Sequence, residues 1–282
     1  MDKKLFFKEY VNWIYYEDVG NGDITSNLLI PASKQSKASI YLKQDGVISG
    51  LEFIPKFLDA CNIDIEFLPN YKDGHILKKG TIVAQLKGQT RKILSIERVI
   101  LNFLKKLSGI ATLTRKYIDK VKKYDAKIFD TRKTTPGLRF LEKKAVKDGG
   151  GNNHRMGLYD MVLIKENHLT ANKEKKIKDI IIDIRNKIPK NIKIELEVHT
   201  IDLLKEALKT PVDVIMLDNF TPEELKIVVA LARNYNKDIL LEASGNISLS
   251  NVVKYAKTGV DIISIGEITH SAYAVDFSLL ID

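Results

Sequence analysis

From residue 127 onward the chain alternates short apolar runs with longer amphipathic stretches, and this alternation constrains the fold more than any other feature. The apolar runs occupy residues 127–130, 161–165, 193–198, 213–218, 239–242 and 261–265. They read as buried parallel strands, covered on both faces. The stretches between them carry helix boundary signals: Thr221-Pro222-Glu223-Glu224 is a capping box with Pro in the first helical position, and Gly259 ends a helix. Six strand-then-helix units predict a parallel α/β domain, either a barrel or an open doubly wound sheet.

The polar residues decide between these two. Asp130 and Arg132, Lys165, Glu197, Asp218, Glu242 and Ser244, and Gly266 all fall at the carboxyl ends of the apolar runs. A barrel builds its site from many strand ends around one mouth, whereas an open sheet concentrates it at one switch point. The pattern therefore favours a barrel. Gly149-Gly150-Gly151 follows a helical stretch and is a loop rather than a dinucleotide fingerprint. Upstream, an amphipathic opening helix leads to Gly20-Asn21-Gly22-Asp23 and to β-like runs at 39–42 and 81–86 around a helix at 51–62. Residues 91–107 are helical, with Ile93, Ile96, Ile100, Phe103, Leu104 and Leu107 on one face. The expected organisation is a smaller α+β domain over 1–108 and a barrel over 109–270, with the tail 271–282 able to return to the first domain.

Composition narrows the setting. The longest apolar stretch, 227–232, is far short of the ~18 residues of a membrane span. Lys8 and Glu9 interrupt the opening apolar residues, so no signal-peptide core follows. The single cysteine, Cys61, excludes an internal disulfide and reads as a plain buried thiol. A cytoplasmic protein with no membrane partner is expected. The net charge of +9 permits anionic partners, but the lysines are scattered and form no basic stripe interleaved with aromatics, so nucleic acid is not expected. Only eight of the 45 basic residues are arginine, yet Arg132, Arg139 and Arg155 fall close together. Arginine grips carboxylate or phosphate in a planar fork that lysine cannot reproduce.

The chemistry concentrates in Asp130-Thr131-Arg132-Lys133-Thr134-Thr135-Pro136-Gly137-Leu138-Arg139, a strand end opening into a loop of cations and hydroxyls, and in Asn152-Asn153-His154-Arg155. With Lys165 these bring Arg132, Lys133, His154 and Arg155 together, too much positive charge without an anionic ligand. Glu197 and Asp218 sit at neighbouring strand ends and suit a hard divalent cation, Mg²⁺, which takes one or two carboxylates and completes its shell with water and substrate phosphate. Glu195 shares the strand face of Glu197, so this ligand set is not unique. Small residues at Ser244, Gly245 and Gly266, followed by His270, expose backbone N–H groups after the last two strands, where barrels bind phosphate. A phosphate cradle, a divalent metal and a second cationic pocket together suggest phosphoribosyl transfer to an acidic acceptor.

Several ordered motifs then carry a resemblance: Asp130-Thr131-Arg132-Lys133-Thr134-x-Pro136-Gly137-Leu138-Arg139, Gly149-Gly150-Gly151-x-Asn153-His154-Arg155-x-Gly157-Leu158-x-Asp160, Leu163-Ile164-Lys165-x-Asn167-His168, Met216-Leu217-Asp218-Asn219 and Glu242-Ala243-Ser244-Gly245-x-Ile247. Upstream, Glu17-Asp18-x-Gly20-x-Gly22-Asp23-x-Thr25 and the stretch from Glu97-Arg98 to Thr112 belong to it as well. Over almost its whole length the chain resembles quinolinate phosphoribosyltransferase, the carboxylating nicotinate-nucleotide pyrophosphorylase. The resemblance implies an N-terminal α/β sandwich and an incomplete, seven-stranded, TIM-like α/β barrel, one strand more than the apolar runs supply. It implies a head-to-tail homodimer, or a hexamer of such dimers, in which Arg98 reaches the neighbouring site.

It also implies roles. Arg132, His154, Arg155, Lys165 and the second subunit's copy of Arg98 would clamp the two carboxylates of quinolinate. Mg²⁺ held by Glu197 and Asp218, with Lys133, would neutralise the leaving pyrophosphate of phosphoribosyl pyrophosphate. Thr131 would belong to the substrate pocket, and Ser244, Gly245 and Gly266, with His270 nearby, would hold the ribose phosphate. The expected products are nicotinate mononucleotide, pyrophosphate and CO₂. A molybdenum-associated paralogue fits less well, because the Asp-Thr-Arg-Lys-Thr and Asn-His-Arg patterns are kept. Nicotinate phosphoribosyltransferase would not need so many cations, and a nucleic-acid scaffold or a sensor of phosphoribosyl pyrophosphate would bind without turnover.

Overall fold

In the computed structural model, which describes residues 3–282 with side chains from Phe7 onward, the chain forms two units. The first takes the chain up to Leu113, with Lys147–Gly150 and Ala272–Asp282. In chain order it holds α1 (Lys3–Val19), α2 (Ile24–Leu29), β1 (Gln35–Leu42), β2 (Gly46–Val47), α3 (Ile54–Ala60), β3 (Ile65–Pro69), β4 (Ile76–Leu77), β5 (Ile82–Gln89) and the start of α4 (Thr90–Val121). In its antiparallel sheet β1 lies between β5 and a C-terminal strand, Phe277–Ile281, and β3 lies outside β5. Ala38 and Ile40 sit opposite Leu86 and Ala84. All four are fully buried, as period-two alternation requires of one sheet face.

The helical stripe on α4 holds: Ile93, Ile96, Ile100, Leu104 and Leu107 are buried. Phe103 packs against Phe53 and Phe57, with ring centroids 4.6 and 6.4 Å away. The same stripe continues through Ile110, Tyr117 and Val121, so the helix runs past residue 107, and the compact units divide inside it, at Leu113 and Thr114. Cys61 is part-buried, and desolvation pushes its thiol up to about 11.

The second unit, Thr114–Val146 and Gly151–Ser271, contains the expected alternation: β6 (Lys127–Phe129), α5 (Arg139–Asp148), β7 (Val162–Ile164), α6 (Glu166–Thr170), α7 (Ile177–Lys187), β8 (Ile194–Val198), α8 (Ile201–Ala207), β9 (Val214–Asp218), α9 (Pro222–Tyr235), β10 (Leu240–Ser244), α10 (Val252–Ala256), β11 (Ile262–Ser264) and α11 (Glu267–His270). The six strands form one parallel sheet in the order β6-β11-β10-β9-β8-β7. The capping box at α9 is present, with Thr221 Oγ1 accepting the Glu224 N–H and the Glu224 carboxylate accepting the Thr221 N–H.

The sheet has six strands among the described residues, not the seven that the resemblance implies, and beside β6 only an isolated bridge extends it. Asn152 makes a single parallel bridge to Phe129, its N–H donating to the Ile128 carbonyl at 2.8 Å and its carbonyl accepting the Asp130 N–H at 3.0 Å. It is short because the glycine run precedes it and a turn toward the Asp130 carboxylate follows. Gly151 is forced by space: a Cβ there would lie 2.7 Å from a Thr114 methyl and 2.8 Å from one of Val146. The second unit is thus an incomplete α/β barrel, and the first a smaller antiparallel-sheet domain. Among the described residues no helix is long and apolar enough to cross a membrane.

Candidate active site

The carboxyl ends of all six parallel strands and the Asn152 edge open onto one cavity of about 730 Å³. Its lining includes Thr131, Arg132, Lys133, His154, Arg155, Lys165, Glu197, Asp218, Ser244, Gly245, Gly266 and His270. Strand ends provide this because the last inward-facing residue of each parallel strand and the loop after it project to the same side of the sheet.

Arg132 has a buried Nε with no hydrogen-bond partner among the described residues. Arg155 donates from one guanidinium nitrogen to the Met161 carbonyl at 3.2 Å. Burial first, and then the Arg132 charge, hold its pKa below the usual arginine value. Two guanidiniums that repel each other in a recess are poised for an anion. Lys165 is paired with Glu197. Asp218 accepts from the Asn219 amide at 2.6 Å and makes no ion pair among the described residues.

Beyond β9 and β10 the backbone turns left-handed at Asn219 (φ 60°), Gly245 (φ 94°) and Asn246 (φ 52°). Asn219 donates its N–H to the Ser244 carbonyl at 2.9 Å, locking the two strand ends together. A Cβ on Gly245 would strike the Asn219 carboxamide. After β11, Gly266 lies under Lys133, its would-be Cβ 2.9 Å from the Lys133 stem and 3.2 Å from the His270 ring. Thr269 Oγ1 donates to the Lys133 carbonyl at 2.8 Å, tying the first strand-end loop to the last.

Beneath the mouth lie groups that the sequence reading underrated. Asp130 and Lys143 are both fully buried and form an ion pair. Asp130 Oδ1 also accepts the His154 N–H at 2.9 Å, and Lys143 donates to the His154 carbonyl at 3.0 Å. The Asn153 amide, turned to satisfy both its ends, donates to Asp130 Oδ2 at 2.7 Å. Residues 153–155 are thus hung on one buried pair. Lys143 gave no sequence signal, because a lysine on an amphipathic helix is ordinarily solvated.

The His154 ring points into the barrel. Its Nε2 lies 3.1 Å from Glu195 Oε2 and 3.5 Å from Glu242 Oε2, and its Nδ1 accepts the Arg155 N–H at 2.8 Å. Glu195 therefore faces His154 in the interior, not the Glu197 and Asp218 pair. Burial alone would lower the His154 pKa, but the close contacts with the Glu195 and Glu242 carboxylates and their charges lift it to about 10. Burial, then the Glu242 charge, raises Glu195 to about 7. With a charged ring and two carboxylates, or a neutral ring and one protonated glutamate, the trio keeps one net negative charge. The signal for these residues was positional: each glutamate lies two places before a mouth residue, Glu197 or Ser244, on the same strand face.

Comparison with known proteins agrees with this architecture. Residues 23–108 match the quinolinate phosphoribosyl transferase N-terminal domain and residues 110–280 the C-terminal domain. The chain belongs to the quinolinate phosphoribosyltransferase family. It is 39% identical over 98% of its length to a probable nicotinate-nucleotide pyrophosphorylase [carboxylating] of Bacillus subtilis, covering 93% of that protein. A Methanocaldococcus jannaschii protein of the same description is 41% identical over 93% of this chain, with 92% of its own length covered. The nicotinate-nucleotide pyrophosphorylase structure from Francisella tularensis superposes with a TM-score of 0.91 at 36% identity, covering 100% of this chain and 98% of that one. In this quinolinate phosphoribosyltransferase family member Arg98 is not among the cavity-lining residues. It lies on α4, 55% exposed, with Glu97 3.7 Å away.

Proposed function

We propose that this chain transfers the phosphoribosyl group of phosphoribosyl pyrophosphate to the ring nitrogen of quinolinate, with decarboxylation, giving nicotinate mononucleotide, pyrophosphate and CO₂ in de novo NAD biosynthesis. One observation carries the reading: a single mouth holds Arg132 and Arg155, with a buried unpartnered Nε, alongside two carboxylates and a small-residue cradle. A dianionic acceptor and a pyrophosphorylated sugar need this combination, and neither needs a nucleophilic side chain.

Arg132, Arg155 and Lys165 hold the two acceptor carboxylates by charge-assisted hydrogen bonds and orient the ring nitrogen. Release of Lys165 from Glu197 frees both groups for their ligands. His154 closes this pocket from below. Ser244, Gly245 and Gly266 hold the ribose phosphate with His270 beside them, and Thr131 sets the Lys133 loop by accepting its N–H at 3.1 Å. Lys133 stabilises the departing pyrophosphate as positive charge grows at the anomeric carbon. The ring nitrogen bonds that carbon as the pyrophosphate leaves with its bonding pair. The charged pyridinium then accepts the electron pair released when the adjacent carboxylate departs as CO₂, and one proton replaces it.

Mg²⁺ fits Glu197 and Asp218: both offer hard oxygens in the mouth, and among the described residues Asp218 is satisfied only by a neutral amide. When bound, it would neutralise pyrophosphate charge. A homodimer is part of the proposal. Ile24, Leu28 and Leu29 on α2 are each at least 76% exposed, an apolar face that a second copy would cover, and the exposed Arg98 is free to enter a neighbouring site. Hexamers of such dimers remain compatible with it. A cytoplasmic setting rests on composition.

The test is quinolinate consumption with and without phosphoribosyl pyrophosphate and Mg²⁺, following nicotinate mononucleotide, beside Arg155→Ala. Turnover requiring all three components, and reduced roughly 10- to 150-fold in the variant as loss of a charge-assisted contact implies, supports the reading. Saturable phosphoribosyl pyrophosphate binding without quinolinate turnover would refute the acceptor.

A further inference from the structure

We propose that Glu195 and Glu242 are positioning residues: from the barrel interior they hold the His154 ring, and through it the first backbone atoms of Arg155. The inference deepens the proposed function, since it rests on Arg155 belonging to the acceptor pocket.

Interiors of such barrels are filled mainly by branched aliphatic side chains. Here two inward positions carry carboxylates at 0% and 1% exposure, an expensive choice unless each is compensated. His154 is the one cationic side chain paired with both among the described residues. Both oxygens of Glu195, and Oε1 of Glu242, find no hydrogen-bond partner there, so what compensates these carboxylates is their ion-pair contact with the His154 ring and not a wider hydrogen-bond network.

Glu195 lies below the site, and Glu242 is part of its floor, lining the same cavity. Each precedes a mouth residue by two places on a strand, a setback of about 6.6 Å at ~3.3 Å per residue. They act on the acceptor pocket through His154. The ring is contacted at both edges: Nε2 by the charges of two carboxylates at 3.1 and 3.5 Å, Nδ1 by a hydrogen bond from the Arg155 N–H at 2.8 Å. The backbone behind it is pinned by Asp130 and Lys143. Without the carboxylates the ring can turn about its outer bond. The Arg155 N–H then loses its acceptor, and the guanidinium loses the fixed start of its side chain.

The test uses the full-length protein with Glu195→Leu, Glu242→Leu and the matching Gln variants, which keep an acceptor for the Nε2 proton. The expected result is a rise of tenfold or more in KM for quinolinate in the Leu variants, in line with the ~100-fold cost of ångström-scale misplacement. KM for phosphoribosyl pyrophosphate should stay within about twofold, and the Gln variants should recover most of the loss. A second readout needs no substrate: ring ¹⁵N signals of His154, assigned by their disappearance in His154→Asn, should shift or broaden in the Leu variants. Unmoved ring signals would overturn the proposal, as would a parallel loss of both KM values and of thermal stability. A stoichiometric metal lost in every variant would overturn it too, because the three ligand atoms lie within 4.8 Å of one another. If the wild type does not turn over quinolinate, the functional reading fails and the ring signals alone decide the positioning.

Discussion

Replacing Lys143 with Met removes one partner of the buried pair that suspends residues 153–155. The Lys143 ammonium touches Asp130 and the His154 carbonyl, and both members of the pair are fully buried. Burial raises the Asp130 pKa and lowers that of Lys143, and their mutual attraction offsets this only in part. The net worth of the pair is therefore small, while breaking it strands a carboxylate in the interior. That costs about 3–5 kcal/mol, a large share of the ~5–15 kcal/mol that holds a domain folded. At ~2–4 °C per kcal/mol, Lys143→Met should melt roughly 6–20 °C below the wild type in circular dichroism scans. Asp130→Asn combined with Lys143→Met removes both charges and keeps an acceptor for the His154 N–H, so it should recover to within ~1–2 kcal/mol. A single variant losing under ~1 kcal/mol, or a double variant losing more than the single, would refute the argument.

Three further outcomes are expected. Gly151→Ala should lose ~1–3 kcal/mol in urea unfolding, because its methyl would lie 2.7–2.8 Å from Thr114 and Val146 side chains. Gly245→Ala, at φ 94° and against the Asn219 carboxamide, should raise KM for phosphoribosyl pyrophosphate more than KM for quinolinate in steady-state assays. His154, lifted to about 10, contributes stability that is fully present below its unfolded value near 6.5 and lost as pH climbs through about 10. Its melting temperature should fall over ~pH 7–10, less steeply in His154→Gln, in buffered thermal scans.

Local pattern was enough for the six parallel strands, the α9 cap and the strand-end residues of the mouth. A strand buried on both faces has to be an apolar run, and a residue just past its end has to face the mouth. The same logic located Arg132, Lys165, Glu197 and Asp218 without any knowledge of their partners. Local pattern also announced that Gly151 approaches something closely, though not that the neighbours are Thr114 and Val146.

Tertiary structure decided whatever depends on residues distant in the chain. The extension of the six-stranded sheet past β6 is a single bridge at Asn152, held by hydrogen bonds to Ile128 and Asp130, and no periodicity survives in one residue. Phe277–Ile281 is the edge partner of β1 only because long-range pairing makes it so. The burial of Lys143, Glu195 and Glu242 was equally hidden. A charged residue reads as solvated until the fold takes its water away, and the groups that replace that water, Asp130 for Lys143 and His154 for the glutamates, come from other strands and loops. Side-chain type fixed which chemistry was possible, and the low-dielectric interior fixed which of those charges are held together.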